Sequence, residues 1–256
     1  MRLQTTLGLA LTFVLLTPAM SPAQDLVLRQ RVTISGPQSG TRESTQYWTA
    51  DRMVTDDAES RVIIDLAGES MTVANKSDRT YFTQTFAEIR GQADALMAEM
   101  RKQIEKMPPQ AREMMGKMGM GESTEPPASA RKTGKTQKIA GYDASEYEVA
   151  AGPMTSTVWA SDAVQPPGGS RTAEAFAKMT GRTGPGARFA QAMSQIKGIP
   201  LRMVVNTNMG PQTFSQTTEV YEVKRTSPPA DVMKVPEGYE KTAPPRFQMP
   251  KAPAGG

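Results

Sequence analysis

Residues 60–85 read SRVIIDLAGESMTVANKSDRTYFTQT, and residues 86–107, which follow directly, read FAEIRGQADALMAEMRKQIEKM. In the first stretch Val62, Ile64 and Leu66 alternate with Arg61 and Asp65, and Gly68 ends the run. Met71 and Val73 begin another, Asn75 to Asp78 is a polar turn, and Thr80 to Thr85 carries Tyr81 and Phe82. A period of two is that of a strand with one face in a core, and short strands joined by local turns make an antiparallel meander. At Phe86 the period changes. Phe86, Ile89, Ala93, Leu96, Met100, Ile104 and Met107 recur every three or four residues with Glu88, Arg90, Arg101, Lys102 and Glu105 between them, which predicts an amphipathic helix. Pro108-Pro109 stops it, because proline lacks the amide donor and restricts its predecessor.

Upstream, Leu26, Leu28, Val32 and Ile34 share one parity with Arg29 and Arg31 on the other, which predicts a strand. Pro37 to Gly40 reads as a turn, Ser44 to Val54 as one strand bearing Tyr47 and Trp48, and Asp56, Asp57 and Glu59 as a solvated turn. Downstream, Ala111, Met114, Met115 and Met118 suggest a second helical stripe, and Gly119 to Ala130 a polar linker. Lys138 to Val149 reads as a strand around Gly141-Tyr142, with Met154 to Ala160 as its hairpin partner. Ser170 is placed to cap a helix through Met179, Gly184-Pro185-Gly186 to interrupt, and Phe189, Met193 and Ile196 to line a helical face ended by Gly198. Leu201 to Val205 and Phe214 to Val223 form a last hairpin with its turn at Asn208 to Pro211, and residues 244–256 read as a disordered tail. The expected architecture is α+β: one curved antiparallel sheet of roughly eight to ten strands with helical insertions on one face. The methionine-bearing helix is expected to cover the concave side.

Arg2, the uncharged apolar run Leu7 to Leu16, Pro18 and the small residues Ser21 and Ala23 have the layout of a secretory signal peptide, residues 1–23. The run is half the roughly twenty residues that span a bilayer, so no transmembrane anchor is expected after cleavage and a periplasmic or secreted location is. Residues 24–243 are then one domain with a methionine-rich helical insertion at about 86–130. The chain has no cysteine, so packing alone must hold it. Without Arg2 it carries 29 basic and 26 acidic side chains, an excess too small and scattered to favour nucleic acid. The densest basic cluster, Arg131, Lys132, Lys135 and Lys138, reads as a solvated loop.

Seven methionines, Met97, Met100, Met107, Met114, Met115, Met118 and Met120, fall within 24 residues. Thioethers suit copper(I), and Met114, Met115, Met118 and Met120 are the ligands of that alternative. Five of the seven lie on helical stripes, however, where flexible methionine suits a core or an adaptable apolar surface. Ser194 and Lys197 form Ser-x-x-Lys, but Lys132-Thr133-Gly134 lies upstream of it, the wrong order for penicillin-interacting serine enzymes. Gly134-Lys135-Thr136 has Ser129 where a phosphate-binding loop needs glycine. With no histidine and no cysteine, nothing pairs a nucleophile with a positioned base, and no cofactor and no catalytic residue is expected. Trp48, Tyr142 and Trp159 at strand positions fit a core or a ligand face. With Met100 and Met107 they are the candidate ligand-binding residues.

Together the run Tyr47 to Phe82, Lys138-Ile139-Ala140-Gly141-Tyr142 with Tyr147, Val158-Trp159, Gly198-Ile199-Pro200-Leu201 and Val235-Pro236-Glu237-Gly238-Tyr239 resemble a bacterial envelope family. It is the domain of unknown function numbered forty-four twelve, and the likeness covers most of residues 25 to 242. That family is distantly similar to lipoprotein carriers of the LolA/LolB type. The resemblance implies an incomplete antiparallel β-barrel with helices on its concave side, a non-enzymatic role, and a lipid or lipoprotein partner. This chain differs from the carriers in its methionine-rich insertion. The other readings are the copper(I) binder and an envelope structural or stress protein without a small ligand.

Overall fold

The computed structural model describes residues 24–36, 39–110, 112, 128–151, 154–181, 184–209 and 212–245. Residues 1–23, read above as a signal peptide, and residues 246–256 lie outside them.

The alternation from Leu26 to Ile34 becomes β1 (Leu26–Ser35), in which Leu26 and Leu28 are wholly buried while Arg29 and Arg31 face outward. Next come β2 (Gly40–Trp48) and β3 (Arg52–Asp57), where one strand was expected over Ser44–Val54. The break is the turn at Thr49–Asp51: Thr49 N–H donates to the Arg52 carbonyl (2.8 Å), and the Thr49 hydroxyl accepts from Arg52 N–H (3.0 Å). A threonine that can close a turn with its own hydroxyl outweighs strand propensity here. The meander continues as β4 (Ser60–Asp65), β5 (Ser70–Asn75) and β6 (Thr80–Thr85).

Helix α1 (Phe86–Glu105) follows without a linker, started by a reciprocal cap. The Thr85 hydroxyl accepts from Glu88 N–H (3.2 Å) and the Glu88 carboxylate from Thr85 N–H (2.7 Å). After Pro108 the chain turns again, with Arg112 N–H donating to the Pro108 carbonyl. The rest of the second methionine stripe lies outside the described residues.

The supposed loop around Arg131 is strand: β7 spans Ser129–Ile139 and pairs with β8 (Tyr142–Ala151) across the turn Ala140-Gly141. Both turn residues have left-handed φ, 50° and 88°, the conformation that closes a two-residue hairpin. The polar composition that suggested a loop belongs to an edge strand, where lysine and a register shift between Lys132 and Thr136 are ordinary. Then come β9 (Met154–Ser161), α2 (Ser170–Thr180), α3 (Gly184–Met193), β10 (Ile199–Met209), β11 (Gln212–Arg225) and β12 (Glu240–Lys241). Ser170 opens α2 instead of capping it; Gly169 is the cap and gives no side-chain bond. Gly184 likewise begins α3 rather than separating two helices. At Gly198 a β-carbon would stand 1.9 Å from the Ser161 carbonyl oxygen, so the chain can enter β10 there only with glycine.

All twelve strands form one sheet in the order β12-β6-β5-β4-β3-β2-β1-β11-β10-β9-β8-β7. It is open: its ends, β12 and β7, do not pair with each other. Every pairing is antiparallel except the short β12–β6 contact. The fold is therefore α+β, a large antiparallel sheet with helices α1 to α3 packed on it.

Both faces of the meander are covered. On one, Phe86 and Ile89 of α1 and Ala175, Phe176 and Met179 of α2 pack on Met53, Leu66, Ile64 and Trp48. Further along, Phe189, Ala192, Met193 and Ile196 in and after α3 pack on Val149, Val158 and Ala160. On the other face, residues 226–239 run back across the sheet and bury Val232, while Val54 and Ile63 are 1% and 7% exposed. Arg61, expected at a solvated strand position, is only 9% exposed. Its Nη1 donates to the Asp231 and Lys234 carbonyls (2.9 and 3.2 Å) and its Nε to Asp56 (2.8 Å), while Arg52 reaches the Met233 carbonyl at 3.2 Å. Asp56 also pairs with Lys76 at 3.1 Å. The acidic turn is thus the anchor of a buried arginine. Among the described residues no helix is long and apolar enough to cross a membrane.

Arg61→Met keeps the stem and removes the charge, leaving two carbonyls and the Asp56–Lys76 pair without the guanidinium. Urea unfolding should show a loss of about 3 kcal/mol, and trypsin should cut sooner at Lys234, which Arg61 holds down.

Candidate functional site

The strand register lays side chains in rows across the meander. On the helix-covered face, Leu26, Trp48, Met53, Ile64, Met71 and Gln84 stand opposite one another in successive strands. Trp48, Met53 and Ile64 of this row pack against α1 and α2, while Trp48, Ile64 and Met71 remain half-buried. One step along the strands come Leu28, Gln46, Thr55, Val62, Val73 and Phe82. Leu28 is buried, but Val62, Val73 and Phe82 are only half-buried. A step further, Gln30, Ser44, Ser60, Asn75 and Thr80 are polar, and the Gln30 amide donates to the Ser44 hydroxyl at 3.0 Å. An apolar strip one row deep is therefore bounded by helices on one side and by a polar row on the other.

Two polar groups border it. Trp48 Nε1 donates to the Gln46 side-chain Oε1 at 3.0 Å, which satisfies the indole N–H. Gln84, 5% exposed, has a buried Nε2 without an acceptor among the described residues. A buried donor without a partner costs free energy.

Of the candidate ligand residues, Trp48, Tyr142 and Trp159 all pack against one core cluster built on Leu26, Leu28, Ile139, Val164 and Leu201, and Trp48 also touches the cluster under α2. Met100 and Met107 lie elsewhere, half-buried on the stripe of α1, and Met97 beside them is 39% exposed. Only Phe86 of α1 is fully buried. Beyond its first turns the helix is thus not the tightly packed cover that its periodicity suggested; α2 and α3 supply more of the core. Met114, Met115, Met118 and Met120 lie outside the described residues. Ser194 of the Ser-x-x-Lys donates its hydroxyl to the Gln191 carbonyl at 2.8 Å.

The opposite face carries a feature that reading strands one at a time misses. Glu43, Arg31, Glu219, Arg202, Trp159 and Glu146 stand in line across six strands. Arg31 pairs with Glu43 at 2.9 Å, Arg202 with Glu219 at 3.3 Å, and Lys135 of β7 with Glu146 at 3.1 Å. Tyr221 sits at a register shift in the β1–β11 pairing, 44% exposed, with its ring 5.8 Å from the Arg31 guanidinium and its hydroxyl 3.3 Å from Glu43. Two shallow hollows flank it. One of about 280 Å³ is lined by Arg29, Glu43, Thr45, Asp56, Asp57 and Tyr221, and one of about 120 Å³ by Arg31, Thr33, Thr217, Glu219 and Tyr221. Arg29, Arg31, Glu43, Asp56 and Glu219 are already paired, so the ladder chiefly fixes cross-strand register.

Opposite charge dominates the ionisation there. The hydrogen bond and charge of Arg31 lower the Glu43 carboxyl, and Glu43 raises Arg31 in return. Burial is the largest influence on Glu146 and pushes it up, but Lys135 and Thr133 together more than offset this and hold it below the ordinary value. A carboxyl lowered in the folded state stabilises above its unfolded value and loses that contribution as pH falls through the folded one. Glu146→Gln should therefore lower Tm at pH 7, and the gap from the parent protein should narrow as the pH is taken below 4.5, as followed by circular dichroism.

Residues 113–239 match the model of a domain of unknown function, DUF4412. The family resemblance drawn from the sequence holds for that part, and the match does not extend over β1–β6 and α1. No curated protein matches the chain significantly. A PNGF-II structure aligns at 12% identity and TM-score 0.40 over 86% of this chain, which spans 31% of the length of that one. A DUF1329 family protein from Desulfovibrio piger aligns at 8% identity and TM-score 0.31, covering 84% of this chain and 91% of its own. An outer membrane lipoprotein-sorting protein domain from Vibrio parahaemolyticus aligns at 9% and 0.31, covering 83% and 90%.

Proposed function

We propose that this is an exported, non-enzymatic binding protein of the bacterial envelope that holds an apolar ligand, an acyl chain or the acylated end of a lipoprotein, against the helix side of its sheet. The observation that carries the reading is the strip Val62, Val73 and Phe82, half-buried beside a row that α1 and α2 cover. Apolar side chains left partly in water next to a formed core gain free energy when an apolar partner covers them. Met100 on α1 and Met107 just past its end would extend that surface with side chains that adapt to a flexible tail. The buried Gln84 Nε2 offers a donor suited to an ester or amide carbonyl. Trp48 would act from beneath, shaping the floor through Gln46, with Tyr142 and Trp159 supporting it within the core. The signal-like residues 1–23 support export, and the absence of histidine and cysteine from the sequence supports a role without acid-base or thiol chemistry.

Native mass spectrometry of protein purified from a cell envelope should find a fraction carrying a bound acylated molecule; a uniformly ligand-free protein would count against the reading. Val73→Asp places a charge in the strip and should weaken a fluorescent fatty-acyl probe by about tenfold or more. Thr83→Asp, on the opposite face of the neighbouring strand, should leave the probe's affinity unchanged.

A further inference from the structure

The stripe on α1 has a second property, independent of any ligand. With about 100° of rotation per residue, Arg90, Asp94, Arg101 and Glu105 fall on one flank of the apolar stripe. Their signs run basic, acidic, basic, acidic, and their spacing of four, seven and four residues is symmetric about the bond between Met97 and Ala98. Read backwards, the order is acidic, basic, acidic, basic. An antiparallel copy of the helix therefore sets Asp94 opposite Arg101 and Arg90 opposite Glu105, each twice, whereas in a parallel pair this flank faces the partner's other flank and these pairs do not form. The apolar positions obey nearly the same centre: Leu96 meets Met100 and Ala93 meets Ile104. Leu96, Met100, Ile104 and Met107 are half-buried and Met97 is exposed, and no described residue forms an ion pair with Asp94, Arg101 or Glu105.

We infer that α1 is a self-association surface: two copies of the chain join through antiparallel α1 helices, Leu96, Met97, Met100 and Ile104 forming the seam and Asp94–Arg101 pairs fixing its direction. The two-fold symmetry is the usual one for homodimers, in which one patch serves both partners. The flanking charges contribute little affinity and mainly select orientation, as at the edges of coiled coils. Met100 would then belong to the seam, and the strip on the sheet would remain for the ligand.

Sedimentation velocity on the full mature chain, freed of lipid and run over a concentration series, tests this. The expected result is a concentration-dependent dimer. Asp94→Arg and Arg101→Asp should each shift the midpoint to higher concentration by about fivefold or more. Combining the two should restore it, since the pairs re-form with signs exchanged. A helical signal equal to that of the parent in circular dichroism shows that each variant is folded. A monomer at every concentration overturns the inference, as does a dimer that both single reversals leave unchanged or that the double variant fails to restore. The outcome is separable from the acyl-chain reading, because Val73→Asp lies outside the seam and should leave dimerisation untouched.

Discussion

A sheet of twelve strands that does not close presents two faces, and a chain without cysteine must cover both by packing alone. Where each cover stops decides what the molecule can do. On one face α2 and the first turns of α1 pack on Trp48, Met53, Ile64 and Leu66, and the residues in and after α3 pack on Val149, Val158 and Ala160. On the other, residues 226–239 are tied down by a single buried arginine that reaches two of their carbonyls. The segment buries Val232 and half-buries Met233, Val235 and Tyr239, and hydrogen bonds from Arg61 and Arg52 to its carbonyls add to that packing. Asp56 makes this tolerable by keeping the Arg61 charge paired.

The same constraint separates the two ends of the sheet. Around β8 to β10, α3 seals one side with alanines and Ile196, and the other side is crossed by the Glu43-to-Glu146 ladder, whose alternating signs leave few unpaired charges. Around β4 to β6 the helices cover only one row. The half-buried strip of Val62, Val73 and Phe82 follows from the reach of α1, which leaves the sheet after Ile89 and packs beside α2 instead of lying over the strands.

Much of the fold was legible in the sequence because local period and local chemistry agreed. The alternation of β1, the change of period at Phe86 and the double proline after Met107 each have one physical reading. Elsewhere the reading depended on partners that a sequence does not display. Arg61 is polar at an alternating position, and the rule that such positions face water assumes one bare face; the returning C-terminal segment removes it. Arg131 to Lys138 looked like a loop because edge strands share a loop's composition. The gathering of Trp48, Tyr142 and Trp159 into one core depends on the order of strands far apart in the chain. Conversely, α1 was recognisable as a helix while its exposure was not, since an apolar stripe shows which side wants cover and not whether cover arrives.

The central claim is that the strip beside α1 and α2 is a binding surface. It is most directly tested by methyl-labelled nuclear magnetic resonance of the mature protein titrated with a soluble acylated ligand. Shifts concentrated on Val62, Val73, Ile64 and Met71, with Val54 and Ile63 on the opposite face unmoved, are the predicted result. Methyl signals in the strip that stay put at saturating ligand, or shifts confined to the Val54 face, would contradict it.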